Sequence, residues 1–403
     1  MKARFPSKIL HSLLRTAIIP LLMPIGCLLM NPGSASAQIP LYENYLYLHG
    51  DIRTGYFGQM GTNRDGSKRS IHEIRNRTRI GLAGRSNARW EWRIRYAMRF
   101  SSDHSGFNPG LHTTAEGNNG LDFGEGAFDM AYIGFRPVPG LLIRAGRFQA
   151  SFSLPGVINN ALIRDQSSNT DIDWTDGIHA THTLSRRWQT DIVAAWHFKN
   201  APTFVMRPPL DINGSSVPFT FFWQLKHQPG SSRIRMAALD VLYSPDALSI
   251  DTQAGRSGYL IASVKTVLGW ELNSGRELTW GMESAYAFTR PDDVVTGFSP
   301  SPGQTGKGAK TGGLGLQTNL SIDEIFPGQR IGFVASWTQP SVLTSPNYWS
   351  NQLLAEIRYI WQINRQFSTE IRARYRGDHK KYHAAAARRQ EFFPYVRLTY
   401  RIR

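Results

Sequence analysis

Between Trp90 and Phe100 the chain reads W-E-W-R-I-R-Y-A-M-R-F, so Trp90, Trp92, Ile94, Tyr96, Met98 and Phe100 alternate with Glu91, Arg93, Arg95, Ala97 and Arg99. A period of two is that of a β-strand whose two faces meet different surroundings. A soluble sandwich would turn the apolar face inward against a second sheet, and rarely sets three arginines behind two tryptophans on one strand. A membrane-spanning barrel does the reverse, with its apolar face to lipid and its polar face to a wet lumen. Energy decides which face is which. One arginine held in lipid near the bilayer midplane costs about 2 to 4 kcal/mol, so Arg93, Arg95 and Arg99 are expected to point inward.

The N-terminus fits export. Lys2, Arg4, Lys8 and Arg15 precede an apolar run from Ala17 to Met30, followed by Pro32, Gly33 and the small-residue site Ala35-Ser36-Ala37. Residues 1–37 therefore read as a cleaved signal peptide, with Gln38 as the first mature residue and 38–403 as the barrel. A lipoprotein signal at Cys27 is disfavoured, because Pro24 stands where an aliphatic residue is needed and apolar sequence continues beyond the cysteine.

Cys27 is the only cysteine. Its removal with the leader excludes a disulfide framework, thiolate metal sites and a cysteine nucleophile. Beyond the leader no run of about 20 apolar residues occurs, so nothing reads as a membrane helix. The formal charge is +16, and the excess persists after the leader, which holds four basic residues and no acidic one, is set aside. Such an excess often serves nucleic acid, but export argues against that partner. Small anionic or polar solutes and the lipids and lipopolysaccharide of an outer membrane are the expected counterparts.

The alternation recurs along the whole mature chain. Strands are expected near 44–57, 74–83, 90–100, 128–135, 141–148, 178–183, 188–197, 219–226, 233–243, 259–270, 278–288, 313–322, 330–337, 353–361, 367–376 and 395–402. Short turns such as Gly84-Arg85-Ser86-Asn87, Pro137-Val138-Pro139-Gly140 and Phe326-Pro327-Gly328 alternate with longer connections. The total is about sixteen, an even number as single-chain bacterial barrels require. The longest internal connection, near 149–176, exceeds ordinary loop lengths and is expected to be functional. The fold class is thus all-β, a transmembrane antiparallel β-barrel.

Parity is shared by distant strands. Arg53 on the first, Arg75, Arg77 and Arg79 on the second, and Arg93, Arg95 and Arg99 on the third take the polar face, as do Arg372, Arg374, Arg376, Arg397 and Arg401 on the last two. Closure pairs first and last strands, so these twelve arginines are expected to line the pore as one basic wall.

The alternating strands, Ala131-Tyr132-Ile133-Gly134-Phe135, the stretch G-L-L-I-R-A-G-R-F-Q from Gly140 to Gln149, and the long connection ending in Asp176-Gly177 resemble the sixteen-stranded outer-membrane porins of Gram-negative bacteria. The resemblance implies a water-filled channel for passive diffusion, a homotrimer, and a third loop folded into the lumen. That loop would bring Asp165, Asp171, Asp173 and Asp176 towards the arginines, setting a transverse field across a constriction. Local turn capping is the plainer role for the same aspartates. The arginine density is also similar to that of phosphate-selective porins and alginate-export barrels. Guanidinium suits carboxylate and phosphate because its planar fork donates paired hydrogen bonds. The chain departs from the porin pattern in ending Tyr400-Arg401-Ile402-Arg403 rather than on an aromatic residue.

His179 and His182 fall on opposite strand faces and cannot share a metal. His179 with Asp176, or His49 with Asp51, would be the dyads of a barrel hydrolase, but neither comes with a serine nucleophile elbow. Gly303-Gln304-Thr305-Gly306-Lys307-Gly308 lacks the Ser or Thr that must follow a phosphate-loop lysine. Lys380, Lys381, Arg388 and Arg389 surround an Ala384-to-Ala387 run able to form a helical turn, in a loop suited to anions or lipopolysaccharide phosphates. No plug domain, enzyme activity, cofactor or metal is expected.

Overall fold

A computed structural model describes residues 39–42, 45–86, 88–102, 111–113, 126–164, 172–197, 217–230, 233–249, 256–272, 275–290, 312–340 and 347–402, together with Leu210, Val342 and Ser345. The signal-peptide reading over 1–37 and the Gly303–Gly308 motif lie outside them.

Sixteen antiparallel strands close into a barrel. They are β1 Leu46–Thr62, β2 Lys68–Ser86, β3 Trp90–Ser102, β4 Gly126–Phe135, β5 Leu141–Phe148, β6 Thr175–Thr183, β7 Trp188–Trp196, β8 Phe219–His227, β9 Ile234–Ser249, β10 Arg256–Glu271, β11 Glu277–Ala287, β12 Gly313–Asp323, β13 Gln329–Thr338, β14 Gln352–Gln362, β15 Phe367–Asp378 and β16 Gln390–Ile402. Two short strands, Ile39–Tyr42 and Leu111–Thr113, add to it. Each long strand pairs with its sequence neighbour, and β16 returns to β1 from Gln390 opposite Thr62 to Ile402 opposite Gly50. Beyond Ile402 the row is continued by Ile39–Tyr42, which pairs with Leu46–Leu48. Among the described residues no long edge is left open, as hydrocarbon requires of a spanning sheet.

The burial pattern is inside out. Ile52, Ile80, Trp92, Ile94, Ile133, Ile192, Val264, Leu320, Phe333, Ile357 and Ile371 are exposed on the outer face, while Arg77, Asp129, Lys265, Glu283, Glu356 and Glu370 are buried. The first strands run longer than the sequence alone suggested: β1 and β2 continue through residues 57–62 and 68–73, leaving a turn of only 63–67 between them. That polar ladder stands above the apolar band, where hydropathy carries no strand signal.

The core sits in the lumen. Residues 149–164 leave β5 and fold inward, burying Phe152, Leu154, Val157, Ile158, Leu162 and Ile163 almost completely. Each such side chain contributes about 1.5 to 3 kcal/mol, enough to hold an irregular segment against a wall. The wall makes room with glycines: a Cβ at Gly332 would stand 3.0 Å from Val157, one at Gly281 3.3 Å from Leu154, and one at Gly315 3.5 Å from Leu162.

Candidate functional site

All twelve predicted arginines fall on the inner face of five consecutive strands, β15, β16, β1, β2 and β3. Arg53 stands opposite Arg77, which stands opposite Arg99. In the next row Arg401 faces Asp51 and Asp51 faces Arg79. Arg372 faces Arg358 of β14 on one side and Tyr395 on the other, while Arg374 faces Glu356. Arg93 and Arg95 lie opposite Ala83 and Gly81, Arg75 and Arg397 both flank Gly55, and Arg376 faces Glu391. A contiguous wall results because strand parity survives the closure of the barrel.

The wall is not bare cation. Asp51 accepts from Arg77 Nη2 at 2.9 Å and Arg79 Nε at 2.8 Å, with Arg53 at 3.3 Å. Asp129 accepts both Nε and Nη2 of Arg95 at 2.8 Å. Glu356 takes Arg358 Nε at 2.9 Å and also Arg374, and Glu370 takes Arg397 Nη2 at 2.6 Å. Glu73 holds Arg75 at 2.8 Å, and Glu391 holds Arg376 at 3.2 Å. Aromatic faces fix further guanidinium planes: Arg75 over Phe57 at 3.8 Å, Arg372 over Tyr395 at 4.4 Å, and Arg376 over Trp349 at 3.2 Å. Stacking of this kind fixes the guanidinium plane through its face, while the N–H edges of Arg75 and Arg376 are turned to Glu73 and Glu391.

Sequence parity did not find these carboxylates as partners. Glu356 and Glu370 could have been found, since each shares parity with a neighbouring arginine. Asp129 could not. Arg95 pairs with Met130 and Tyr96 with Phe128, so Asp129 is the extra residue of a bulge, turned inward against the local alternation.

The opposite side of the lumen carries the inward loop. Leu162 N donates to Glu283 Oε2 at 2.8 Å, Asn319 Nδ2 donates to Ile158 O at 2.6 Å, and Gln317 Nε2 to Asn160 O at 3.1 Å. The Lys265 ammonium donates to Phe152 O and pairs with Asp240, with Glu283 at 3.7 Å; all three charged side chains are fully buried. In the same loop burial brings the Arg164 guanidinium down to about 9, still charged at neutral pH. The first residue past β7, His197, is lowered to about 3 by burial and then by the charge of Arg164, so it is neutral there.

Of the four aspartates of the third loop, Asp173 and Asp176 lie within the described residues. Asp165 and Asp171 lie outside the described residues. Asp173 receives Gln149 Nε2 on its backbone carbonyl at 2.8 Å. Asp176 is clamped by Arg147 at 2.7 and 2.9 Å, between cross-strand neighbours Arg147 and Trp196. What faces inward from 149–164 is Ser, Asn, Pro and backbone, because that stretch, Q-A-S-F-S-L-P-G-V-I-N-N-A-L-I-R, has no acidic residue.

The dyads considered from sequence are not formed. His179 Nε2 meets Asp191 Oδ1 at 2.9 Å rather than Asp176, and Asp51 is occupied by arginines rather than His49. The 384–387 run is not a helix. It is turn and bend, closed by Ala385 N donating to Tyr382 O at 3.2 Å.

A family model described as phosphate-selective porin O and P matches residues 47–198. Among solved structures the chain is similar to OprB of Pseudomonas putida, with a TM-score of 0.59 at 11% identity, covering 89% of this chain and 94% of that one. OmpF of Salmonella typhi, solved with daunomycin, gives 0.53 at 10% identity over 90% and 100% of the two chains. OccK2 of Pseudomonas aeruginosa, solved with glucuronate, gives 0.51 at 8% identity over 88% and 98%. No curated protein matches the chain. The chain therefore has the sixteen-stranded outer-membrane porin fold, and the segment carrying its first seven strands matches the phosphate-selective porin family.

Proposed function

We propose that this protein is a passive outer-membrane channel for small hydrophilic solutes, with a preference for anions. The observation that carries the reading is the asymmetry of the lumen. Guanidinium groups occupy the inner face of five adjacent strands, while the inward loop over 149–164, whose one charged side chain, Arg164, is fully buried, offers neutral polar groups. Carboxylates of the wall orient those guanidiniums and reduce the net charge without cancelling it, since Asp51 alone is shared among Arg53, Arg77 and Arg79. A cationic surface in a narrow passage raises the local anion concentration and repels cations, and guanidinium groups facing the passage replace part of an oxyanion's hydration. Solutes then move down their gradients, and the loop sets the size limit.

The constriction in this reading is a basic wall against a neutral loop. A field between arginines and aspartates is not needed for anion preference. Phosphate preference is the narrower form of the same reading, favoured by the family match over 47–198, which contains seven of the twelve arginines.

The test is ion substitution in planar bilayers. Replacing chloride by a bulky organic anion is expected to reduce the current sharply, whereas replacing potassium by a bulky cation leaves most of it. The opposite ranking would overturn the proposal.

A further inference from the structure

Gln149 is the first residue past β5, and Asp173 stands just before β6, so the two mark the stems of the inward loop. One end of the Gln149 amide closes that neck: Nε2 donates to the Asp173 carbonyl at 2.8 Å. The other end meets the arginine wall. Oε1 accepts Arg95 Nη2 at 2.9 Å and lies 3.4 Å from Arg79 Nη1. Two guanidinium donors at one end, and two oxygens at the other, those of Asp173 and, at 3.3 Å, Asp129, fix which end of the amide is the oxygen.

Arg79 and Arg95 converge on that oxygen. Their remaining edges are turned to carboxylates, Arg79 to Asp51 and Arg95 to both oxygens of Asp129. Asp129 Oδ2 also stands 3.4 Å from Arg79 Nη1, and the place beside it is filled by the neutral amide oxygen of Gln149. Both arginines are buried, whereas Gln149 is half-buried, so the glutamine is the group of this cluster that a solute in the lumen meets first.

We propose, resting on the reading of the lumen as an anion path, that Gln149 is the specificity-determining cap of an oxyanion site between Arg79 and Arg95. Its amide oxygen holds the place of a solute oxygen and yields it to one that bears formal charge. A sugar hydroxyl or a neutral carbonyl offers the guanidiniums no better acceptor than the amide already there, and it stays out. A carboxylate, phosphate or sulfate oxygen makes charge-assisted bonds about twice as strong, and it displaces the amide. The bond from Gln149 Nε2 to the Asp173 carbonyl raises the threshold, because a displaced amide gives up that partner as well.

The test is sulfate block of the chloride current in planar bilayers, for the wild type, Gln149→Leu and Gln149→Glu, each refolded and checked by heat-modifiable mobility. Gln149→Leu keeps the bulk and removes the competing oxygen. Its half-blocking sulfate concentration should fall about fivefold, the ratio that one net hydrogen bond supplies. Gln149→Glu sets a permanent carboxylate between the two arginines and should raise that concentration by about tenfold. The two variants thus move in opposite directions. A glutamine that merely anchored the loop would shift the size limit for neutral sugars in both variants and leave sulfate block at the wild-type concentration. That result, or a shift in the same direction in both variants, would overturn the proposal. A failure of the channel reading is seen separately, as a wild-type zero-current potential on the potassium side before any sulfate is added, and it would overturn both.

Discussion

The backbone N–H of Leu162 donates to Glu283 Oε2 at 2.8 Å, tying the inward loop to the far wall of the barrel. The bond ends a buried relay in which Lys265 holds Asp240, the Phe152 carbonyl and, at 3.7 Å, the other oxygen of Glu283. A loop held through its backbone by buried charge has one position, and so gives the channel one width.

Lys265→Met leaves Asp240 and Glu283 buried without their cation. Breaking a buried ion pair typically costs about 3 to 5 kcal/mol. The gel shift that reports heat-induced unfolding should move to lower temperature, and single-channel conductance should rise and become noisy as the loop loses its tie. The triple change Lys265→Met, Asp240→Asn, Glu283→Gln removes the unpaired charges and should recover most of the stability but not the quiet conductance. An unaltered, quiet trace from Lys265→Met would mean that the loop is held by its apolar contacts alone.

Gly332 tests those apolar contacts separately. A Cβ there stands 3.0 Å from Val157 and 3.2 Å from the Ser321 side chain, so Gly332→Leu must displace the loop or strain the wall. Overpacking of this kind costs about 1 to 3 kcal/mol. Larger sugars should permeate proteoliposomes of the variant faster than those of the wild type; identical size limits would count against the packing described.

The carboxylates of the arginine wall give a prediction of opposite sign to the arginines themselves. Glu356→Gln keeps the shape and removes the charge shared by Arg358, Arg374 and, at 4.0 Å, Arg372. Anion preference should increase, with some loss of stability. A fall in anion preference would show that Glu356 orients the wall more than it neutralises it.

The barrel was legible because its faces are energetically unlike: Ile94 flanked by Arg93 and Arg95 admits one orientation in a membrane, and the same logic placed Ile371 outside and Arg372 inside. Parity carries no information about what a loop does once inside. Length alone marked the connection as functional, whereas Leu154, Val157 and Leu162 join the core because glycines at 281, 332 and 315 open the wall to receive them. Those glycines look like ordinary strand residues until the loop is seen against them. Asp129 escaped for another reason: a one-residue bulge reverses local parity without any mark in composition. Asp176 has an arginine partner, Arg147, one strand away, and that short-range pair outcompetes the longer reach to the wall.

The measurement that bears most directly on the central claim is the zero-current potential of the refolded protein in a planar bilayer under a KCl gradient, for the wild type and for Arg93→Gln with Arg95→Gln and Arg372→Gln. The wild type is predicted to sit towards the chloride equilibrium potential, and the triple variant to shift towards zero while remaining open. A wild-type potential on the potassium side, or a triple variant as anion-selective as the wild type, would contradict the account.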